Sequence, residues 1–236
     1  MKLKRFALLI LFCLVFVSFV NANEKVQWTE NFPEDARDFS SKGSNTFFIL
    51  EPGFQSVLEG KEEGKDVKLI ITVLDETKKI GDIETRVVEE KESKNGELVE
   101  VSRNFFAISK KTNNVYYFGE DVDIYSKGKI VSHDGAWLSG TNGAKFGLIM
   151  PGSILLGARY YQEVAPAVAM DRAEIISMTE TMETPAGVFK NCLKTEEGSA
   201  LNEREIAYKF YTPGIGLIKD GSVKLVKYGY SQKERK

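Results

Sequence analysis

The chain has few of the residues on which most catalytic and metal sites are built. Its 236 residues include one histidine, two cysteines, two tryptophans and six prolines. A metal site of several histidines is thereby excluded, and a Ser-His-Asp triad would have to use His133. The neighbouring Ser132 and Asp134 cannot complete that triad, because adjacent residues of a strand point to opposite faces. The sequence predicts no cofactor, no metal site and no recognisable catalytic set.

An excess of positive charge is also absent. The sequence has 32 basic and 34 acidic residues, a net charge of −2. Residues 1–22 hold three of the basic residues and none of the acidic ones, so their removal would leave 29 against 34, a net charge of −5. A mildly acidic protein has no electrostatic attraction to nucleic acid or to an anionic membrane. Neither is an expected partner.

One long apolar run is present, at the N-terminus, and it has the features of a secretory signal peptide. A cationic start (Lys2, Lys4 and Arg5) precedes residues 6–20, fifteen residues without a charge. Small or β-branched residues then occupy the positions that a signal peptidase reads, ending at Ala22. The pattern predicts cleavage after Ala22 and an exported protein, periplasmic or extracellular, with no stable membrane span afterwards.

Two other fates of this segment remain open. A retained anchor would need about 20 apolar residues to cross the bilayer, more than this run offers. Lipidation would need a cysteine after small residues, whereas Cys13 lies inside the run. After cleavage, Cys192 would be the only cysteine of a 214-residue chain, so no intramolecular disulfide could form. We expect a buried, inert thiol and one domain with a substantial core.

The dominant periodicity is two residues, which is typical of antiparallel strands with one wet face. The alternating segments are 67–73, 83–90, 99–105, 172–183, 188–195, 205–212 and 222–228. Turn-forming sequences separate them at 79–82, 94–96, 112–114, 126–128 and 220–222. The pattern predicts an all-β fold with at most one or two short helices, one of them within 34–41. The expected architecture is a strongly curved antiparallel sheet or half-open barrel of about ten to twelve strands.

The domain organisation follows from these segments. We expect a signal peptide at 1–22, a polar N-terminal segment at 23–44, a single β domain at 45–230 and a charged tail at 231–236.

Residues 134–170 interrupt the strand rhythm with six glycines and many large apolar side chains. An irregular segment this apolar has to pack against something, and long loops of compact domains are often functional. It is interpreted as a lid on one end of the sheet, the wall of an apolar ligand cavity, or an exposed protein-binding patch. The candidate ligand-binding residues are Trp137, Phe146, Leu148, Met150, Tyr160 and Tyr161.

Carboxylates and aromatic residues offer weaker candidates. Glu120, Asp121 and Asp123 could ligate calcium, or could form a solvated turn paired with Lys127 or Lys129. A glycosidase-type carboxylate pair would draw on Glu120, Glu163, Glu174 and Glu180. The run 116–118 should place Tyr116 and Phe118 on one face and Tyr117 on the other, on a strand covered on both sides.

Four stretches resemble a group of uncharacterised exported bacterial β-proteins, the TapB-like group. They are NTFFILEPG at 45–53 with VLEG at 57–60, VYYFGEDV at 115–122, GAKFGLIMP at 143–151, and PAGVFKNCL at 185–193 with YTPGIGLI at 211–218. The resemblance covers about residues 45–229. It implies a mostly antiparallel β protein, similar to the curved half-barrels of periplasmic lipoprotein carriers, and transfers no functional residues.

The sequence therefore favours an exported, non-enzymatic protein that binds an apolar or amphipathic ligand, or a cell-envelope partner, in the concavity of a curved sheet. The alternatives are a structural or adaptor protein with a filled core and, third, a carboxylate-dependent hydrolase.

Overall fold

The computed structural model describes residues 26–230; the predicted signal peptide and the charged tail lie outside this range. A single 3₁₀ turn, Ala36–Asp38, falls within the predicted helical segment. Asp35 caps this turn by accepting a hydrogen bond from the backbone N–H of Arg37.

Strands account for most of the described chain. The first nine are β1 (Phe39–Ser40), β2 (Ser44–Asn45), β3 (Phe48–Ile49), β4 (Phe54–Glu62), β5 (Lys65–Ile80), β6 (Ile83–Lys94), β7 (Glu97–Ser109), β8 (Val115–Ser126) and β9 (Lys129–Ser132). The second nine are β10 (Trp137–Leu138), β11 (Lys145–Met150), β12 (Arg159–Tyr161), β13 (Glu163–Val164), β14 (Asp171–Thr184), β15 (Gly187–Ser199), β16 (Asn202–Thr212), β17 (Gly216–Asp220) and β18 (Val223–Tyr230).

Tight hairpins connect the long strands and fix their register. Between β6 and β7, Asn95 and Gly96 have φ angles of 51° and 82°, the two positive values that a type I′ turn requires. Lys127 and Gly128 do the same between β8 and β9, at 51° and 72°. Both turns are at predicted positions.

The main sheet curves round until its two edges nearly meet. Its principal path has thirteen strands in the order β12-β14-β15-β16-β17-β18-β4-β5-β6-β7-β8-β11-β13. The end strands β12 and β13 are consecutive in the chain, with only Gln162 between them; β12 pairs with β14 and β13 with β11. Residues 159–164 therefore join both edges into a nearly closed barrel, which confirms the predicted fold class.

The segment 134–170 differs from the expected irregular loop, because it contributes four short strands, β10 to β13. Its strands are too short and too interrupted by glycine to show a period of two. One glycine has a definite role: a Cβ at Gly147 would lie 2.4 Å from the carbonyl oxygen of Gln162, so only glycine lets β11 approach the closing segment.

The N-terminal segment covers the outside of β8. The ring of Phe39 packs edge-on against Tyr116 at 5.6 Å and against Phe118 at 5.2 Å between centroids. Tyr117 faces the interior, where its ring lies 4.8 Å from that of Phe106. The predicted division of these aromatics between two covered faces is confirmed.

Buried apolar side chains fill most of the barrel interior and extend under the N-terminal segment. A smaller cluster packs around Leu58, Leu225 and Cys192. Cys192 is fully buried, and burial raises the pKa of its thiol, as expected for an inert cysteine. Within residues 26–230 the structure contains no helix with the length and apolarity to cross a membrane.

Candidate functional site

A charged cluster occupies the inward face of β15, β16 and β17. The Lys209 ammonium lies 3.2 Å from a carboxylate oxygen of Glu197 and 3.5 Å from one of Asp220. The Glu197 carboxylate also accepts hydrogen bonds from the hydroxyls of Thr195, at 2.8 Å, and Tyr211, at 3.1 Å. The charge of Glu197 holds the pKa of Lys209 well above its usual range despite burial. Lys209 is thus a fixed cation with two carboxylates of its own.

Glu90, on the inward face of β6, has no comparable partner. Among residues 26–230, no hydrogen bond or ion pair reaches its carboxylate. Burial raises the pKa of Glu90 to about 7; the Lys209 charge opposes this rise, while Asp220 adds to it. The side chain is half-buried, so its carboxylate borders open space rather than packed protein.

The open space is a cavity of about 110 Å³ inside the barrel, which we call the chamber. Most of its wall is apolar and consists of phenylalanine and aliphatic side chains. These residues are Phe47, Phe48, Ile49, Phe54, Ile71, Val73, Val88, Phe106, Ile149, Ile215 and Leu217. Ser56, Glu90, Lys209 and Tyr211 supply the polar part of the wall. The chamber is smaller than a cavity of about 150 Å³ that binds benzene in another protein, so it suits a short alkyl chain.

Lys209 also lines a second, more polar hollow of about 460 Å³, the polar groove. Asp171, Glu197, Gln162 and Arg204 are among its other lining residues. Lys209 therefore lines both the apolar chamber and the polar groove. This arrangement suits a ligand with one apolar end and one polar end.

A second group of carboxyls lies further round the barrel. Burial raises the pKa of Glu120 to about 7, although the neighbouring Tyr117 hydroxyl lowers it. Glu163 is only 3 % exposed, and its carboxylate accepts a hydrogen bond from the backbone N–H of Asp171 at 2.7 Å. Burial, with the nearby charge of Asp171, keeps its pKa well above the usual range. Glu163 is thus an enclosed carboxyl whose pKa is raised.

Of the four carboxylates considered for a hydrolase, the structure brings together only Glu120 and Glu163, whose charges interact. Glu174 lies on the outer face, 2.7 Å from the Arg159 guanidinium. Glu180 lies on a long hairpin formed by β14 and β15.

The acidic residues of β8 do not form one cluster, because each has different neighbours. Glu120 faces inward, Asp121 binds Lys78 at 2.8 Å, and Asp123 lies 2.9 Å from His133. These residues belong to a strand rather than to a turn, and their partners are not the predicted Lys127 and Lys129. No group of three or more His, Cys, Asp or Glu side chains in the described chain is arranged to hold a metal ion.

The six predicted ligand-binding residues lie on both faces of the barrel wall. Phe146 stacks on Phe118 at 4.8 Å on the outer face, and Tyr161 packs edge-on against Trp28 at 6.4 Å. Leu148 and Met150 are buried in the core. The structure does not bring these four together in one cavity.

Trp137 and Tyr160, the other two predicted residues, are buried on the inner side. Trp137 packs edge-on against Tyr117 at 5.2 Å and lines a hollow of about 250 Å³ beside Glu120. The Trp137 Nε1 and the Tyr160 hydroxyl are the two buried side-chain polar atoms of residues 26–230 that have no hydrogen-bond partner. None of the six predicted residues lines the chamber, although Ile149 from the same segment does.

Sequence reasoning missed Glu90, Lys209 and Tyr211. The sequence offered no clear signal for Glu90, because strict alternation puts it on the same strand face as Glu84 and Arg86, where a charged residue is ordinary. The sequence also could not show that Glu90 and Lys209 lie close together in space, since they belong to β6 and β16, which are far apart in the sequence.

Comparisons with known proteins add little to this geometry. No protein family and no curated protein matches the chain, so the resemblance to the TapB-like group stays a prediction. One solved structure is similar, the 2.70 Å crystal structure of a protein described as a "putative lipoprotein" from Parabacteroides distasonis ATCC 8503. The similarity has a TM-score of 0.38 and 14 % sequence identity, and it covers 79 % of this chain and 100 % of that chain.

Proposed function

We propose that this protein is an exported, non-enzymatic binding protein that holds a small amphipathic ligand inside its barrel. The observation that carries the proposal is the chamber, an apolar cavity with its charged residues gathered at one part of the wall. An apolar ligand body gains roughly 0.8 kcal/mol for each methylene that it buries there. The polar end of the ligand faces Glu90, Lys209 and the polar groove.

The state of Lys209 supports a binding role over catalysis. A lysine acts as a base or nucleophile when its pKa is lowered, as in a desolvated site or beside another cation. Lys209 has the opposite environment, with two carboxylates within 3.5 Å and a raised pKa. Its ammonium can orient a ligand but does not readily lose its proton.

Export rests on the N-terminal segment, and the proposed location is the periplasm or the extracellular space. Within residues 26–230 the cysteine, Cys192, is free. The extensive apolar interior supplies the stability that such a location requires.

Binding of 1-hexanol to the purified exported protein, followed by chemical-shift changes in NMR spectra, tests the proposal. A six-carbon chain matches the chamber, and we expect a dissociation constant of about a millimolar. Ile71→Phe places a larger ring in the chamber wall and should abolish binding. The matched control, Ile70→Phe, changes the neighbouring residue on the opposite face and should leave the affinity unchanged.

The adaptor alternative makes the contrary prediction. Most of the interior is already filled by the protein's own side chains, which favours a structural role if the chamber takes no ligand. Failure of 1-hexanol and of longer or charged analogues to bind would overturn the binding proposal and favour the adaptor.

A further inference from the structure

We propose that the ligand's polar end is a cation, an ammonium group of a small amine, and that Glu90 is the residue that binds it. This inference rests on the proposed binding function and adds the chemical class of the head group.

The charge balance around the chamber favours a cationic head group. Lys209, the one basic residue among those that line it, is already neutralised by Glu197 and Asp220 at 3.2 Å and 3.5 Å. Glu90 lies on the same cavity wall, and no ion pair within residues 26–230 reaches its carboxylate. An anionic head group would find no free positive charge, whereas a cationic one would find a free carboxylate. The chamber therefore discriminates by the sign of the head group.

An unpaired carboxylate beside apolar walls is energetically costly. A charge removed from water is stable only when it is paired and hydrogen-bonded. Glu90 has Val88 and Ile71 as neighbours on the inward face, and Glu92 and Glu100 add negative charge nearby. An ammonium group would supply both the charge and the hydrogen bonds that the protein leaves out. The raised pKa of Glu90 is the expected consequence of its unpaired state.

The size of the chamber limits the apolar body of the ligand. A cavity of about 110 Å³ is smaller than the one of about 150 Å³ that binds benzene in another protein, so it admits a short alkyl chain but not the two acyl chains of a membrane lipid. The predicted ligand is therefore a small primary amine with a short alkyl body.

Isothermal titration of n-hexylamine, 1-hexanol and hexanoate at pH 8 tests this assignment. At this pH Glu90 is mostly ionised and an alkylamine, like lysine, is protonated. We expect hexylamine to bind at least tenfold more tightly than hexanol, and hexanoate to bind most weakly. Glu90→Gln should remove the preference for hexylamine over hexanol. The control Glu59→Gln removes the same charge from the exposed surface and should preserve the preference.

A further measurement uses the unmodified protein, so its result does not depend on whether the Glu90→Gln variant folds. At pH 7 binding of an ammonium should lower the pKa of Glu90 and release a fraction of a proton, detected as a binding enthalpy that depends on the buffer. If hexanol and hexylamine bind equally and Ile71→Phe abolishes both, the binding function stands and the cation inference is wrong. If hexylamine is preferred but Glu90→Gln does not change this, the assignment to Glu90 is wrong. If nothing binds, both proposals fail.

Discussion

The hydroxyl of Tyr116 donates a hydrogen bond of 2.7 Å to the carboxylate of Glu34, a residue 82 positions earlier in the chain. The same carboxylate accepts a hydrogen bond of 3.1 Å from the Ser109 hydroxyl. Glu34 thereby fixes the N-terminal segment across the outer face of β7 and β8. The polar residues before the β domain are a structural strap that is bound to the barrel.

The strap should contribute measurably to stability. Tyr116→Phe removes the hydroxyl and leaves Glu34 and Asn114 with one partner fewer, so we expect a loss of about 1–2 kcal/mol in the free energy of unfolding. Urea denaturation followed by circular dichroism provides the measurement. Tyr125→Phe, on the same strand, is the control, since no hydrogen bond to the Tyr125 hydroxyl exists within residues 26–230. Equal effects of the two substitutions would contradict the role of the strap.

Closure of the barrel depends on Gly147. Gly147→Ala would place a methyl group 2.4 Å from a backbone oxygen of Gln162, so β11 or the closing segment has to shift. We expect a loss of about 2–4 kcal/mol, at or above the usual cost of overpacking, because the obstructing atom is backbone. Faster amide exchange at 159–164 should accompany the loss. Lys145→Ala, exposed on the same strand, should change stability by less than about 0.5 kcal/mol.

Tyr160 and Tyr211 both lie near the Glu197 carboxylate. Loss of the hydroxyl should change the free energy of unfolding in opposite directions at these two positions. The Tyr160 hydroxyl is buried without a partner, so Tyr160→Phe should raise the free energy of unfolding by about 1 kcal/mol. The Tyr211 hydroxyl donates to Glu197 at 3.1 Å, so Tyr211→Phe should lower it by a similar amount. Thermal unfolding of the two variants side by side tests the pair. A destabilised Tyr160→Phe would show that the hydroxyl has a partner in solution, such as a buried water.

Stability should fall as the pH rises from about 4.5 to 7. In the folded protein burial raises the pKa of Glu90 and of Glu120 from 4.5 to about 7. The folded state therefore binds more protons than the unfolded state in this window. The stabilisation that Glu90 and Glu120 provide through their raised pKa values is complete below pH 4.5 and is lost as the pH passes 7.

The size of this effect follows from the shifts, reduced for partial exposure. Each carboxyl should account for on the order of 1–2 kcal/mol between these pH values, less than the full shift implies. Glu90→Gln and Glu120→Gln should each flatten the profile of unfolding free energy against pH, whereas the exposed Glu59→Gln should not. A profile that rises through this window would refute the assigned pKa directions.

The sequence predicted the strands and turns that are determined by residues close together in the chain. Alternation with a period of two identified the long strands, and Asn95-Gly96 and Lys127-Gly128 identified hairpins by their tolerance of positive φ. The small strands of 134–170 escaped detection, because a strand of two to six residues is too short to display a period. The segment was recognised as unusual, but its part in closing the barrel was not.

For the site, the amino-acid sequence by itself determined which side chains share a strand face and that the protein has one histidine and little cysteine chemistry to offer. Only the tertiary structure decided which faces meet. It placed Phe146 and Tyr161 outside the wall, and it set Glu90 opposite a lysine that two other carboxylates already neutralise. The physical reason is that strand pairing is non-local: the curvature that brings β6 and β16 to one cavity depends on the order of all the strands between them, and no segment of the sequence encodes that order alone.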